Sequence, residues 1–234
     1  MKLLDSTLVY EGQEKFLLAV DCIIFGFDMN SIKLLLFKRK VEPFKGSWSL
    51  IGAFMRKDLT LNKCAKQILL ESTGLKDVYL EEIKTYSEID RDSGERVISV
   101  SYFSLIRIDE LKIKEAKQYD AHWFDLEEIP ELIFDHKIMV EDAIEKLRKK
   151  ARYQPIGFNL LPEKFTIPQL QILYECIHQK SLDMRNFRKK IMSLDILTKT
   201  DEKDTSGSKK GAFLYSFNKE KFQKLIEKGY NFEI

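Results

Sequence analysis

A chain of 234 residues, 44% hydrophobic and 32% charged, can bury one large core or two modest ones, and its composition is that of a globular protein rather than a disordered or fibrous one. A formal charge of +2 excludes a uniformly basic protein, so any nucleic-acid surface must be local. Cys22, Cys64 and Cys176 lack CxxC spacing, which excludes a disulfide framework and a zinc site, and there is neither a leader-like N-terminus nor an apolar run of membrane-spanning length, so a cytoplasmic location is expected.

Residues 16–27, FLLAVDCIIFGF, are rich in β-branched and aromatic side chains and predict a buried strand, interrupted in its apolar character only by Asp21. Asp28-Met29-Asn30 supplies turn chemistry, and Ser31 to Arg39 predicts the neighbouring strand. That strand ends in Lys38, Arg39 and Lys40, followed by a loop with Phe44 and Gly46 and then Trp48-Ser49-Leu50-Ile51. From Gly52 to Leu75 the pattern predicts strand end, loop and helix: Asp58 and Thr60 offer capping oxygens, Leu61, Ala65, Ile68, Leu69 and Leu70 recur at helical spacing, and Gly74 stops the helix.

Val78 to Ile89 and Val97 to Ile106 predict two more strands, joined by a polar turn carrying Asp90, Arg91, Asp92, Glu95 and Arg96. Ala121 to Leu126 predicts a short strand, Glu127 to Leu132 the start of a helical stretch, and Phe134-Asp135-His136 leads to a helix from about Lys137 to Arg152. Strands bracketed by helices predict an α/β/α sandwich. Proline and glycine at Tyr153 to Gly157 break the pattern, which places a boundary between a first domain, 1–153, and a second, 154–234.

In the second domain Thr166 caps a helix with Pro168 in its first turn and Leu170, Leu173, Tyr174 and Ile177 on one face. Asp183 caps another helix, whose stripe of Phe187, Ile191 and Leu194 leaves Arg185, Asn186, Arg188, Lys189 and Lys190 outward. A dense basic face with an adenine-capable Asn and a guanine-capable Arg near the N-terminal end suits a recognition helix in the major groove; the bland alternative is a solvated face. Thr198 to Thr200 and Ala212 to Phe217 predict a two-stranded ribbon whose loop, 201–211, carries Ser208, Lys209 and Lys210. A helix pair and a ribbon with a basic tip make a winged helix-turn-helix, with the tip lysines over phosphates.

With these elements in place, Gly52 to Leu75 resembles a Nudix box, a loop and helix ending in Arg-Glu-aliphatic-x-Glu-Glu-x-Gly. In that frame Ala53 stands at the leading Gly, Leu59 at the loop Glu, Gln67 at the Arg, Ile68 at the first helix Glu and Ser72 at one of the last two carboxylates, leaving Glu71. Nucleoside diphosphate hydrolysis needs divalent metal held by several carboxylates, so no catalytic residue, metal or cofactor is expected and the domain is expected to sense rather than cleave. A Nudix-like domain joined to phrases such as GFNLLP, KFT-x-x-QLQ-x-LYE and D-x-RNFRKK resembles the Nudix-related transcriptional regulators over nearly the whole chain.

Within that family, the wording at Ile89 to Asp92 and at Phe134 to His136 is most similar to the arabinose regulator and its pentose-sensing relatives, while other branches sense ADP-ribose. The resemblance implies a repressor of L-arabinose or other pentose utilisation, a homodimer that leaves a palindromic operator when effector binds. It also implies an effector pocket among Lys38, Arg39, Phe44, Trp48, Glu71, Asp90, Arg91, Glu95 and His136. The alternatives are an ADP-ribose-responsive regulator of NAD metabolism and an active Nudix hydrolase. For the charged members, solvated strand and turn termini remain the competing reading.

Overall fold

The computed structural model describes residues 12–206 and 210–227, apart from the side chains of Tyr153 and Ile226. Seven strands form one sheet: β1 (Leu17–Phe27), β2 (Ile32–Lys38), β3 (Trp48–Ser49), β4 (Ile51–Phe54), β5 (Glu81–Tyr86), β6 (Val97–Arg107) and β7 (Ala121–Asp125). The main path runs β3-β2-β1-β6-β5; β4 pairs with β1 and β7 with β2. The central pair, β1 and β6, is parallel and in continuous register from Leu17 opposite Val97 to Phe27 opposite Arg107.

Alternation along β1 explains the layering, since successive side chains leave a strand on opposite faces. Val20, Cys22 and Ile24 face one core with Cys64, Ala65, Ile68 and Leu69 of helix α1 (Leu61–Thr73) and Ala116 of α2 (Glu110–Gln118). Ile23, Phe25 and Phe27 face the other with Met139, Val140, Ala143, Leu147 and Ala151 of α3 (His136–Tyr153). This is the expected α/β/α sandwich, and a strand covered on both faces reads as a nearly continuous apolar run.

The cap of α1 forms as the sequence predicts: the Thr60 side chain accepts from the Lys63 amide, and Gly74, at φ 75°, donates its N–H to the Leu70 carbonyl. Helix α2, capped by Asp109, was not among the predicted elements; its few apolar positions give it a weak periodic signal. Glu127 to Leu132 is not helical. It forms turns and a single parallel bridge between Leu132 and Trp48, with Pro130 unable to donate within a helix. β5 is shorter than the predicted strand, spanning only Glu81–Tyr86.

The core on the α3 face does not end with the sandwich. It continues through Phe158, Leu160 and Leu161 into α4 (Ile167–His178) and α5 (Met184–Ser193) and the ribbon β8 (Leu197–Asp204) and β9 (Ala212–Phe217). Thr166 makes a complete capping box with Gln169, and the Asp183 side chain accepts from the Asn186 amide. β8 reaches Asp204, so Asp201 to Asp204, predicted as loop, are strand. A further helix, α6 (Lys219–Glu227), follows the ribbon. Among the described residues no helix is long and apolar enough to cross a membrane.

Candidate functional site

Asp21 lies in the middle of β1 and is only 6% exposed, a position a carboxylate tolerates only with partners. The Ser99 hydroxyl on the adjoining β6 donates to Asp21 Oδ2 at 2.5 Å. Arg91, from the loop after β5, is also buried. Its Nε and terminal nitrogen donate to the two oxygens of Asp135 at 2.9 and 2.7 Å, and the same guanidinium stands 4.0 Å from Asp21 Oδ2.

His136, the first residue of α3, closes the cluster: its Nε2 is 3.9 Å from Asp21 Oδ1, and its Nδ1 accepts the Leu50 amide at 3.2 Å. That acceptor role at Nδ1 assigns the ring proton to Nε2. Burial holds the imidazole below its ordinary pKa, against the raising influence of Asp21 and Asp135, so the ring is neutral at pH 7. Gly52 is required beside it, because a Cβ there would lie 2.0 Å from Asp21 Oδ1. The cluster thus joins β1, β6, the β4 backbone, the 87–96 loop and the start of α3.

A second group lies across the Phe134–His136 segment. Arg39 folds its Nε onto the carbonyls of Val41 and Pro43 at 3.0 and 2.6 Å, and its guanidinium sits 5.3 Å from the centre of the Phe134 ring. Phe44 meets Phe134 edge-on at 5.5 Å, and Phe134 meets His136 at 5.7 Å. Trp48 packs on Phe124 and His122, with the Lys38 ammonium 5.3 Å from its ring. Phe44 remains 47% exposed, so this aromatic and cationic surface opens to solvent beside the buried cluster.

Of the predicted effector residues, then, the fold gathers Arg39, Phe44, Arg91 and His136 around the Phe134–His136 segment, while Lys38 and Trp48 form a pair beside it, joined through the Ile133 amide on the Trp48 carbonyl. Asp90 and Glu95 stand exposed on the same loop as Arg91. Glu71 is elsewhere, on the exposed side of α1, where it accepts from Gln67 at 2.7 Å and lies 3.9 Å from Arg56. Ile68, which the resemblance to a Nudix box sets at a carboxylate position, is buried in the α1 core. Among the described residues no three His, Cys, Asp or Glu side chains converge as a metal-ligand set. Asp21, Ser99 and Asp135 were not singled out from the sequence as site residues, although a lone acid within an apolar strand was a readable signal for Asp21.

In the second domain Phe187 and Ile191 are buried, while Arg185, Asn186, Arg188 and Lys189 are exposed and Lys190 is half-buried. Arg185, Arg188 and Lys189 therefore form an open cationic face. On the ribbon the Lys199 and Lys203 ammonium groups lie 3.5 and 4.6 Å from the centre of the exposed Phe213 ring, two cations that no local sequence pattern marks. Lys210 is exposed at the turn; Ser208 and Lys209 lie outside the described residues. Lys164 pairs with Glu202, which neutralises one of the ribbon's acids.

Two family profiles match the chain: the NUDIX domain over residues 15–143 and the NrtR DNA-binding winged helix domain over residues 157–217. The chain is 32% identical over 205 residues to the ADPR responsive transcriptional repressor NtrR of Acinetobacter baylyi, a match spanning 86% of this chain and 82% of that protein. It superposes on Shewanella oneidensis NrtR complexed with a 27mer DNA with a TM-score of 0.70 at 29% identity, covering 88% of this chain and 95% of that one. The NUDIX domain of Shewanella oneidensis NrtR complexed with ADP ribose superposes with a TM-score of 0.51 at 26% identity, over 62% of this chain and 99% of that one.

Proposed function

Because the chain belongs to the NrtR-type regulators, in which a Nudix domain is fused to a winged helix, we propose that it is a DNA-binding transcriptional repressor released from its operator by ADP-ribose. The observation that carries the reading is the union in one chain of a Nudix domain with a winged helix whose basic face is exposed and held on a buried stripe. Relatives similar along most of the chain are named for ADP-ribose response and DNA binding, which favours this effector over L-arabinose or another pentose.

The residues agree with that choice. The two segments that suggested a pentose, Ile89 to Asp92 and Phe134 to His136, supply Arg91, Asp135 and His136 to a buried clasp whose hydrogen-bonding groups face one another. The accessible groups beside it, Arg39, Lys38, Phe44 and Trp48, offer cations and aromatic faces, which suit a nucleoside diphosphate better than a neutral sugar. Arg185, Asn186 and Arg188 would read base edges, and Lys189, Lys190 and Lys210 would sit on phosphates. The active unit would be a homodimer reading two half-sites, with the domain boundary at Tyr153 and Gln154.

The degenerate box supports binding without hydrolysis. Leu59, Gln67, Ile68 and Ser72 supply no carboxylate, and Glu71 alone is a poor magnesium site. The decisive test selects a bound duplex from a random pool and then titrates the complex with ADP-ribose or L-arabinose. Release by ADP-ribose alone is expected, and release by the sugar alone would return the pentose reading. Incubation with ADP-ribose and magnesium should liberate no AMP.

A further inference from the structure

Helix α3 touches both halves of the molecule. Its first residue, His136, belongs to the buried cluster, and Asp135 immediately before it is the carboxylate that holds Arg91. Thirteen residues after Asp135, about 20 Å along a helix, Arg148 reaches the winged helix: its Nε donates to the Ile177 carbonyl at 3.4 Å and its terminal nitrogen to the Gln179 side chain at the end of α4. Leu147 and Ala151 enter the apolar core that α4 and α5 share.

Between these ends α3 is fastened to the edge strand β5. Asp142 accepts from the Tyr86 hydroxyl at 2.8 Å and pairs with Lys84 at 2.6 Å, the Lys146 ammonium donates to the Glu82 carbonyl at 2.5 Å, and Lys150 pairs with Glu81. β5 in turn runs directly into the loop that carries Arg91. Strand, loop and helix therefore make a closed frame, fixed at one corner by the Arg91–Asp135 clasp and at another by the Arg148 grip on the DNA-binding domain.

We infer that the Arg91–Asp135 clasp is the switch through which the effector surface governs the winged helix. An anionic effector beside Arg39 and Phe44 competes with Asp135 for the Arg91 guanidinium, and α3 transmits the release to α4. Arg91 is suited to the exchange because a guanidinium binds carboxylate and phosphate with the same two-pronged geometry. The coupling requires that effector bind the opened clasp better than the closed one, as any ligand-driven shift must. This inference rests on the anionic effector proposed above, but its mechanical part can be tested without one.

Amide hydrogen exchange on the full-length chain, with and without saturating ADP-ribose, reads both parts. In the wild type ADP-ribose should speed exchange at the start of α3 and at the Ile177–Gln179 end of α4. Asp135→Asn should show both increases without ligand, and ADP-ribose should then add none at α4. Arg148→Gln should keep the response at the start of α3 and lose it at α4. Arg91→Lys, which preserves charge and one hydrogen bond, provides the same comparison should Asp135→Asn fail to fold. Wild-type exchange at α4 in the clasp variants, or a persisting α4 response to ADP-ribose in them, would overturn the inference. If the variants loosen α4 while ADP-ribose changes nothing in the wild type, the clasp stands as the coupling element and ADP-ribose is the wrong effector.

Discussion

The buried cluster around Arg91 and the outer face of α5 use the same kinds of side chain for opposite ends. Arg91 is 8% exposed and spends its donors on Asp135, while Arg185 and Arg188 are held out by Phe187 and Ile191 beneath them. A charge removed from water must be matched geometrically by partners, so each member of the cluster fixes the others. A charge left in water on a firm apolar base keeps its donors for a ligand. Sequence shows both as arginines among polar neighbours; burial separates an arginine already matched by a partner within the fold from arginines left open to solvent.

Substitutions should expose that difference, and the largest effect falls on the cluster. Asp135→Ala leaves Arg91 buried without its main partner and should lower the unfolding free energy by about 3–5 kcal/mol, measured by urea denaturation. Gly52→Ala drives a methyl group into Asp21 and should destabilise by about 1–3 kcal/mol, with Gly94→Ala as a control, since its nearest neighbour is the Asp92 side chain at 3.3 Å.

The pH dependence is smaller. The folded-state pKa of His136 is lowered by burial, so below about 6.5 the unfolded chain takes up a proton that the folded chain refuses. Stability from this group is complete above that pH and is lost as pH falls; His136→Gln should flatten the slope between pH 7 and 5.5. His178, also lowered by burial, contributes in the same direction and leaves a residual slope.

On stability the α5 face should give the least effect of all. Arg188→Ala should leave the unfolding midpoint unchanged while weakening DNA binding. If Arg188 lies on phosphate, the salt dependence should fall by about one unit; if it reads a base, selectivity should relax at one position instead. A large loss of stability in Arg188→Ala would show that the outer face is structural after all.

Much of the architecture was legible because periodicity reports burial. The strand of residues 16–27, the stripe of α5 and the caps at Thr60, Thr166 and Asp183 all follow from local pattern. Local pattern gives no sign of helices α2 and α6 and predicts a helical stretch at Glu127 to Leu132, where the chain is irregular. A short, highly charged helix has little apolar stripe, and acidic residues before a helix imitate its first turn.

By itself the sequence determined the two-part organisation, the loop-and-helix pattern of Gly52 to Leu75 and the basic face of α5, since each depends on residues close together in the chain. Only the tertiary structure decided that Asp21, Arg91, Ser99, Asp135 and His136 meet, because they come from β1, β6, a loop and the start of α3, separated by as many as 115 positions. It also decided that Glu71 takes Gln67 and Arg56 as its partners on the exposed side of α1. Local pattern tells which face of an element is buried, whereas the partners of a buried charge are set by how the sheet brings distant strands and loops to one point.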